Sequence, residues 1–195
     1  MTIKELIGRS ATKAPLITVR SGLYAAVIGA LGDILTVLAI PVGPNVHINL
    51  YILPAILVGS TNGWFLGALA MFIGSLYTPI LWGWFGAIVY ATQLGAIAGF
   101  LSTRVGFRPL ITGVLTTLIG FPLLAVMEYI WLGMPWPVIW FTLFTTVLQM
   151  VVASVIVEVL LAIPALKKRF PRGEIRAVGW VARSKILRHP WLEDA

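Results

Sequence analysis

Three carboxylates, Asp33, Glu128 and Glu158, stand in sequence apolar enough to lie in lipid. An ionisable side chain at membrane depth is costly and marks a ligand contact, a proton path or a helix-pairing contact. Glu128 is set among Tyr129, Trp131, Trp136 and Trp140. A carboxylate beside indole faces can hold a cationic or donor-rich ring by ionic, cation–π and stacking contacts. An aromatic belt at the membrane interface would explain the same indoles, together with Trp82 and Trp84, without any ligand. Asn45, His47 and Asn49 alternate, so in an extended segment they share one side, either to meet a polar heterocycle or to cap a loop. Tyr90 and Gln93 share a helix face, as do Thr142, Thr145, Thr146 and Gln149 at i, i+3, i+4 and i+7. The Thr hydroxyls can satisfy themselves on backbone carbonyls, whereas the amides of Gln93 and Gln149 want specific partners. Asp33 divides between ligand contact and a structural hydrogen bond to a neighbouring helix. Glu158 lies off the Gln149 face and reads as structural, paired with an Arg.

The elements that must position these residues are membrane helices. The 195 residues are 59% hydrophobic and 11% charged, with a mean hydropathy of +0.96, far too apolar for a hydrated globular surface. Between Arg20 and Leu166 the charged residues are Asp33, Arg104, Arg108, Glu128 and Glu158 alone. The net charge of +7 therefore sits mainly at the ends, where it suits anionic headgroups and not nucleic acid. With no Cys, disulfides, thiolate nucleophiles and thiolate metal sites are excluded. His47 and His189 are too few and too far apart in sequence for a transition-metal site, and no cofactor is expected. The apolar run from Leu16 is longer than a signal-peptide core and passes straight into further spans.

Spacing predicts an all-α integral membrane protein of six transmembrane helices. The first runs from Leu16 to Ile40 and ends at "PVGPN". The others are placed at Ile48–Ser60, Trp64–Thr78, Phe85–Ser102, Pro109–Trp131 and Pro137–Leu166. Lys4, Arg9, Lys13 and Arg20 precede the first span, Arg104 and Arg108 sit in one internal loop, and Lys167, Lys168, Arg169 and Arg172 follow the last. If all three clusters are cytoplasmic, an even number of helices separates each pair, which puts both termini inside. Residues 1–15 then form a cytoplasmic or interfacial lead, 16–166 the membrane domain and 167–195 a basic cytoplasmic tail. That tail reads either as an interfacial amphipathic segment or as a disordered basic one.

Gly22, Ala26 and Ala30 recur every four residues on the first helix, with Gly29 beside them. Small residues let helix backbones approach closely in lipid, so the stripe is either a docking face or ordinary internal packing. Gly59, Gly63, Gly67, Gly74, Gly95 and Gly99 point to tight packing throughout. From Arg20 to Lys168 this order of features resembles the substrate-binding S-component of energy-coupling factor (ECF) vitamin transporters. The features are Ala26-x-x-x-Ala30 on the first helix, a Pro/Gly/Asn loop, the Gly-punctuated "LPAILVGSTNGWFLGALAMFIGSL" and the N-in, C-in layout.

The resemblance implies a multi-pass protein of a prokaryotic plasma membrane that captures a vitamin or related small molecule from outside. It implies a transmembrane T-component and two ATPase subunits as partners, with Gly22, Ala26 and Ala30 as the face turned to the T-component. The substrate-binding set read from the residues is Asp33, Asn45, His47, Asn49, Trp84, Tyr90, Gln93, Glu128, Trp131, Trp136, Trp140 and Gln149. The chain has no G-x-x-x-x-G-K-[ST] phosphate loop of its own. An intramembrane enzyme would want chemistry that is missing, such as H-E-x-x-H or a G-x-S-x-G turn. The alternative is a self-sufficient secondary transporter or small channel, with Asp33, Glu128 and Glu158 coupling protons or cations. Asp33 and Glu128 fall in the expected outer half, away from Arg20, Arg104 and Arg108. An unpaired carboxylate in an apolar pocket must be protonated, hydrogen-bonded or matched by a cation, which favours a flat neutral or cationic ligand over a polyanion.

Overall fold

The computed structural model describes residues 18–38, 40–43, 46–83, 85–164, 186–187 and 189. They form helices α1 (Val19–Val37), α2 (Leu53–Asn62), α3 (Trp64–Ile73), α4 (Thr78–Trp82), α5 (Gly86–Phe100), α6 (Pro109–Leu132) and α7 (Trp136–Ala162). Strands β1 (Ile40–Gly43) and β2 (Val46–Ile48) make an antiparallel hairpin, with Ile40 opposite Ile48 and Pro41 opposite His47. A π-helical turn, Leu101–Val105, continues α5.

Among the described residues four helices are long and apolar enough to cross a membrane: α1, α5 with its π-turn, α6 and α7. At about 1.5 Å per residue they run from about 28 to about 40 Å, against an apolar bilayer core of about 30 Å. Helices α2 and α3 have 10 residues each, or about 15 Å, so neither crosses alone. The expected second span begins later than its hydropathy suggests because Val46–Ile48 pairs with β1 instead of coiling. The first span likewise stops at Val37, and Ile40 belongs to the hairpin.

Local chemistry sets the helix ends. Thr18 caps α1 by a reciprocal box: its Oγ1 accepts the Ser21 N–H at 3.2 Å, and Ser21 Oγ accepts the Thr18 N–H at 3.1 Å. Pro109 opens α6 at a position where the missing N–H costs nothing. Gly133, at φ 60°, closes it, donating to the Glu128 carbonyl. Between α2 and α3 the chain reverses on Gly63, whose φ of 96° with ψ of −177° is a region essentially reserved for glycine.

Helix α2 is the axis of the bundle. Every residue from Leu53 to Thr61 is buried, and α1, α3, α5, α6 and α7 all pack against it; an apolar helix without a polar face belongs in such a position. Close approach depends on glycine where α3 meets α5: a Cβ on Gly67 would lie 2.5 Å from the Gly95 carbonyl oxygen. Ser60, Ser102 and Thr112 form a buried hydroxyl chain at 3.1 and 3.0 Å. That chain fixes the Asn62 end of α2 beside the π-turn that carries Arg104. The short axial helix therefore fills only the Arg104–Arg108 half of the bundle.

Candidate functional site

The other half of the axis, beyond Leu53, is filled by polar and aromatic side chains. Asn49 and Tyr51 lead into α2 and are 3% and 7% exposed. Tyr90 of α5 is 4% exposed and Glu128 of α6 is 5% exposed. Tyr51, Tyr90 and Glu128 are close enough to interact electrostatically with one another, and the Thr142 hydroxyl of α7 reaches Glu128. Tyr90 packs over Gly120 of α6, where a Cβ would lie 3.5 Å from its ring. Strand β2 sits against α7. The segment after the hairpin, α5, α6 and α7 thus each contribute to one cluster.

Among the described residues, buried polar atoms without a hydrogen-bond partner occur at Thr78, Gln93, Thr116 and Ser154 as well as at Asn49 Oδ1, the Tyr90 hydroxyl and Glu128 Oε2. Each such group costs about 1–3 kcal/mol when unsatisfied and buried. Buried polar atoms in folded proteins are nearly always paired, so the orphan atoms of Tyr90 and Glu128, which lie near each other, make this the candidate place for a bound group. Asn49 Oδ1 and Glu128 Oε2 are acceptors, and the Tyr90 group is a hydroxyl. The arrangement is suited to a bound group that donates hydrogen bonds or carries positive charge.

The sequence-derived residues divide accordingly. Tyr90 and Glu128 fall in the cluster with Tyr51, and Asn49, two residues before Tyr51, is buried. Gln93 Oε1, also buried and unpartnered, lies one turn along α5 from Tyr90 at the edge of the buried face. Gln149 is buried on α7. Thr142 donates to the Val138 carbonyl at 3.1 Å as well as lying within reach of Glu128, and Thr145 and Thr146 donate to the Thr142 carbonyl at 2.9 and 2.8 Å, so the last two are satisfied on their own backbone. Asp33 has a structural partner: its Oδ1 accepts the Tyr77 N–H at 3.1 Å, tying α1 to the segment after α3.

The expected ring of indoles around Glu128 does not assemble. Trp131, Trp136 and Trp140 are 71%, 51% and 58% exposed, because successive positions at the ends of α6 and α7 turn outward. There Trp136 stacks on Tyr129 and Trp140 leans on Phe121, with ring centroids 5.5 Å apart in both pairs. That is the geometry of an interfacial belt. His47 enters through its backbone in register with Pro41, and Asn45 and Trp84 lie outside the described residues.

Tyr51 is the residue sequence reasoning missed. It continues the alternation of Asn45, His47 and Asn49 by one more step, a signal hidden because Tyr51 looks like the start of an apolar helix.

The small residues of α1 form two stripes. Ala25, Gly29 and Gly32 face inward, and a Cβ on Gly29 would meet the Ala70 carbonyl at 2.6 Å. Gly22, Ala26 and Ala30 lie on the flank: Ala30 is exposed, and a Cβ on Gly22 would meet nothing within 4 Å. Among the described residues, close internal packing is done by the first stripe, while the second is half-buried at Gly22 and Ala26 and exposed at Ala30.

At the opposite end Glu158 of α7 binds Arg108 by two hydrogen bonds, Nε–Oε1 at 2.8 Å and Nη2–Oε2 at 2.6 Å, and accepts the Leu110 N–H at 3.0 Å. It thereby caps the N-terminus of α6 from a neighbouring helix. The structural reading of Glu158 is the one the geometry supports. Two backbone bonds bring the tail to the same corner, Arg108 N–H to the Leu187 carbonyl at 2.9 Å and His189 N–H to the Gly106 carbonyl at 2.8 Å. Among the described residues no cluster of His, Asp and Glu could hold a metal ion. No family model, curated protein or solved structure matches this chain.

Proposed function

We propose that this chain is the membrane-embedded substrate-capture component of an ATP-driven importer of the ECF type. It takes a vitamin-like aromatic small molecule at its outer side and releases it inward with a T-component and two ATPase subunits. The observation that carries this reading is the enclosed cluster of Tyr51, Tyr90 and Glu128, with buried Asn49 two residues before Tyr51, at the Leu53 end of a short axial helix. A channel would need a polar path along the axis, whereas α2 blocks it with buried apolar side chains.

The topology in this proposal has both termini inside. Helices α2 and α3 enter and return as a pair, so they leave the parity of the positive clusters unchanged. They count, with the four long helices, as the six segments of an S-component. The flank of Gly22, Ala26 and Ala30 supports a partner contact, since close packing among the described residues does not use it. The secondary-transporter alternative loses one of its three carboxylates, because Glu158 is held by Arg108. The test is to purify the chain in mild detergent and identify by mass spectrometry what is bound, then repeat with Tyr90→Phe and Glu128→Gln. A flat heterocycle with N–H donors that is lost in both variants supports the proposal. A wild type that binds no small molecule yet carries a proton-coupled flux in liposomes overturns it.

A further inference from the structure

A groove of about 650 Å³ opens on the bundle surface between α3, α5 and α6, lined by Trp64, Ile97, Phe100, Leu101, Arg104 and Ile119. Its lining is apolar except for Arg104. Phe100 and Ile119 are each 52% exposed and Trp64 is 49% exposed, so the groove faces out of the bundle and away from the Glu128 cluster. Arg104 is exposed and, among the described residues, makes no ion pair.

Arg104 stands on a π-turn at the end of α5. The N–H of Gly106 bonds to the Leu101 carbonyl at 3.1 Å, an i→i+5 link. Arg104, four residues after Phe100, lies on the Phe100 side of the helix, opposite buried Ser102. Trp64, on the facing helix, has the amphipathic ring that settles at a headgroup boundary.

An apolar groove ending in a guanidinium that no described residue pairs, with an indole beside it, is complementary to a hydrocarbon chain ending in a phosphate. Arg offers a planar fork of donors to such an oxyanion. We propose that this groove is a binding site for one anionic phospholipid, with an acyl chain along Ile97, Phe100 and Ile119 and the phosphate on Arg104. The proposal rests on the chain lying in a bilayer and is independent of the importer reading.

The test is native mass spectrometry of the purified full chain, titrated in detergent with phosphatidylglycerol or phosphatidylcholine of identical acyl chains. The wild type is expected to hold one phosphatidylglycerol about five- to tenfold more tightly than phosphatidylcholine, the effect of about one basic residue at a membrane surface. Arg104→Gln should abolish that preference and Arg104→Lys should restore most of it. Arg20→Gln, at the exposed start of α1, should leave it intact. Ala96→Phe, which fills the groove, should weaken both lipids, with an unchanged thermal melt confirming the fold. Equal binding of the two lipids by the wild type, or undiminished preference in Arg104→Gln, overturns the proposal. A photoreactive residue at Ile97, cross-linked in native membranes, should yield a lipid adduct. A protein adduct there would assign the groove to a partner helix and overturn the proposal as well.

Discussion

Removing the carboxylate of Glu158 should destabilise the bundle more than any other single loss of charge among the described residues. Three hydrogen bonds end on it, two from Arg108 and one from the Leu110 N–H. Removing one member of a buried pair costs about 3–5 kcal/mol, and a hydrogen bond to a charged group contributes about 1.5–3 kcal/mol. The side chains of Arg108 and Glu158 are 34% and 18% exposed, so an abandoned guanidinium can rehydrate. That places Glu158→Ala at about 2–3 kcal/mol. Glu158→Gln keeps an acceptor for the Leu110 N–H and should cost about half as much. Arg108→Ala also loses the contact of Nη1 with the Ile186 carbonyl, but at 3.4 Å that bond is weak. The double variant Arg108→Ala/Glu158→Ala should be less destabilised than the sum of its parts by at least about 1 kcal/mol. The assay is reversible unfolding in mixed micelles followed by circular dichroism, with all four members of the cycle measured. Additive losses, or a Glu158→Ala shift within about 0.5 kcal/mol of zero, would refute the account of this corner as a helix cap held by an ion pair.

Gly95→Ala should destabilise by about 2–3 kcal/mol, the upper range for overpacking, since its Cβ would press on the backbone of Gly67. The same unfolding titration should show Gly22→Ala neutral or stabilised by up to about 1 kcal/mol, because nothing stands within 4 Å of its Cβ. Glu128→Gln should weaken a cationic ligand at least about tenfold and a neutral donor-rich one much less, measured by calorimetry on the purified chain. A dianionic ligand bound equally by both forms would remove the electrostatic argument for this site. Ala30→Trp should abolish uptake and co-purification of a transmembrane partner while leaving ligand affinity unchanged. Loss of ligand binding with it would reassign that flank to folding.

Composition and spacing were sufficient for the membrane class and for the two C-terminal helices. Pro109, Gly133 and Pro135 bound α6 and α7 because helix termini obey local rules of capping and missing donors. The pairing of Glu158 with an Arg followed from the rarity of charge in lipid. The limits of the second and third segments were beyond local rules. Whether Val46–Ile48 coils or pairs depends on β1 across a turn, and whether α2 must be long depends on how many helices enclose it. The two small-residue stripes of α1 are hard to tell apart in sequence, since Ala25, Gly29 and Gly32 recur at four and three residues and Gly22, Ala26 and Ala30 at four, both of them helix-face spacings. Only the arrival of Ala70 and Gly74 beside Gly29 decides which stripe packs closely.

The candidate site divides in the same way. Sequence identified Asn49, Tyr90 and Glu128 as polar residues in costly places, because the penalty for burying a polar group is a property of the residue and its apolar neighbours. It could not separate buried groups from exposed ones at the same helix ends. Trp131, Trp136 and Trp140 are as polar-apolar in character as Tyr51, yet they turn to the surface while Tyr51 is enclosed. That choice belongs to the tertiary structure: the short axial helix ends at Leu53, and the space beyond it is filled by whichever side chains the surrounding helices happen to aim inward.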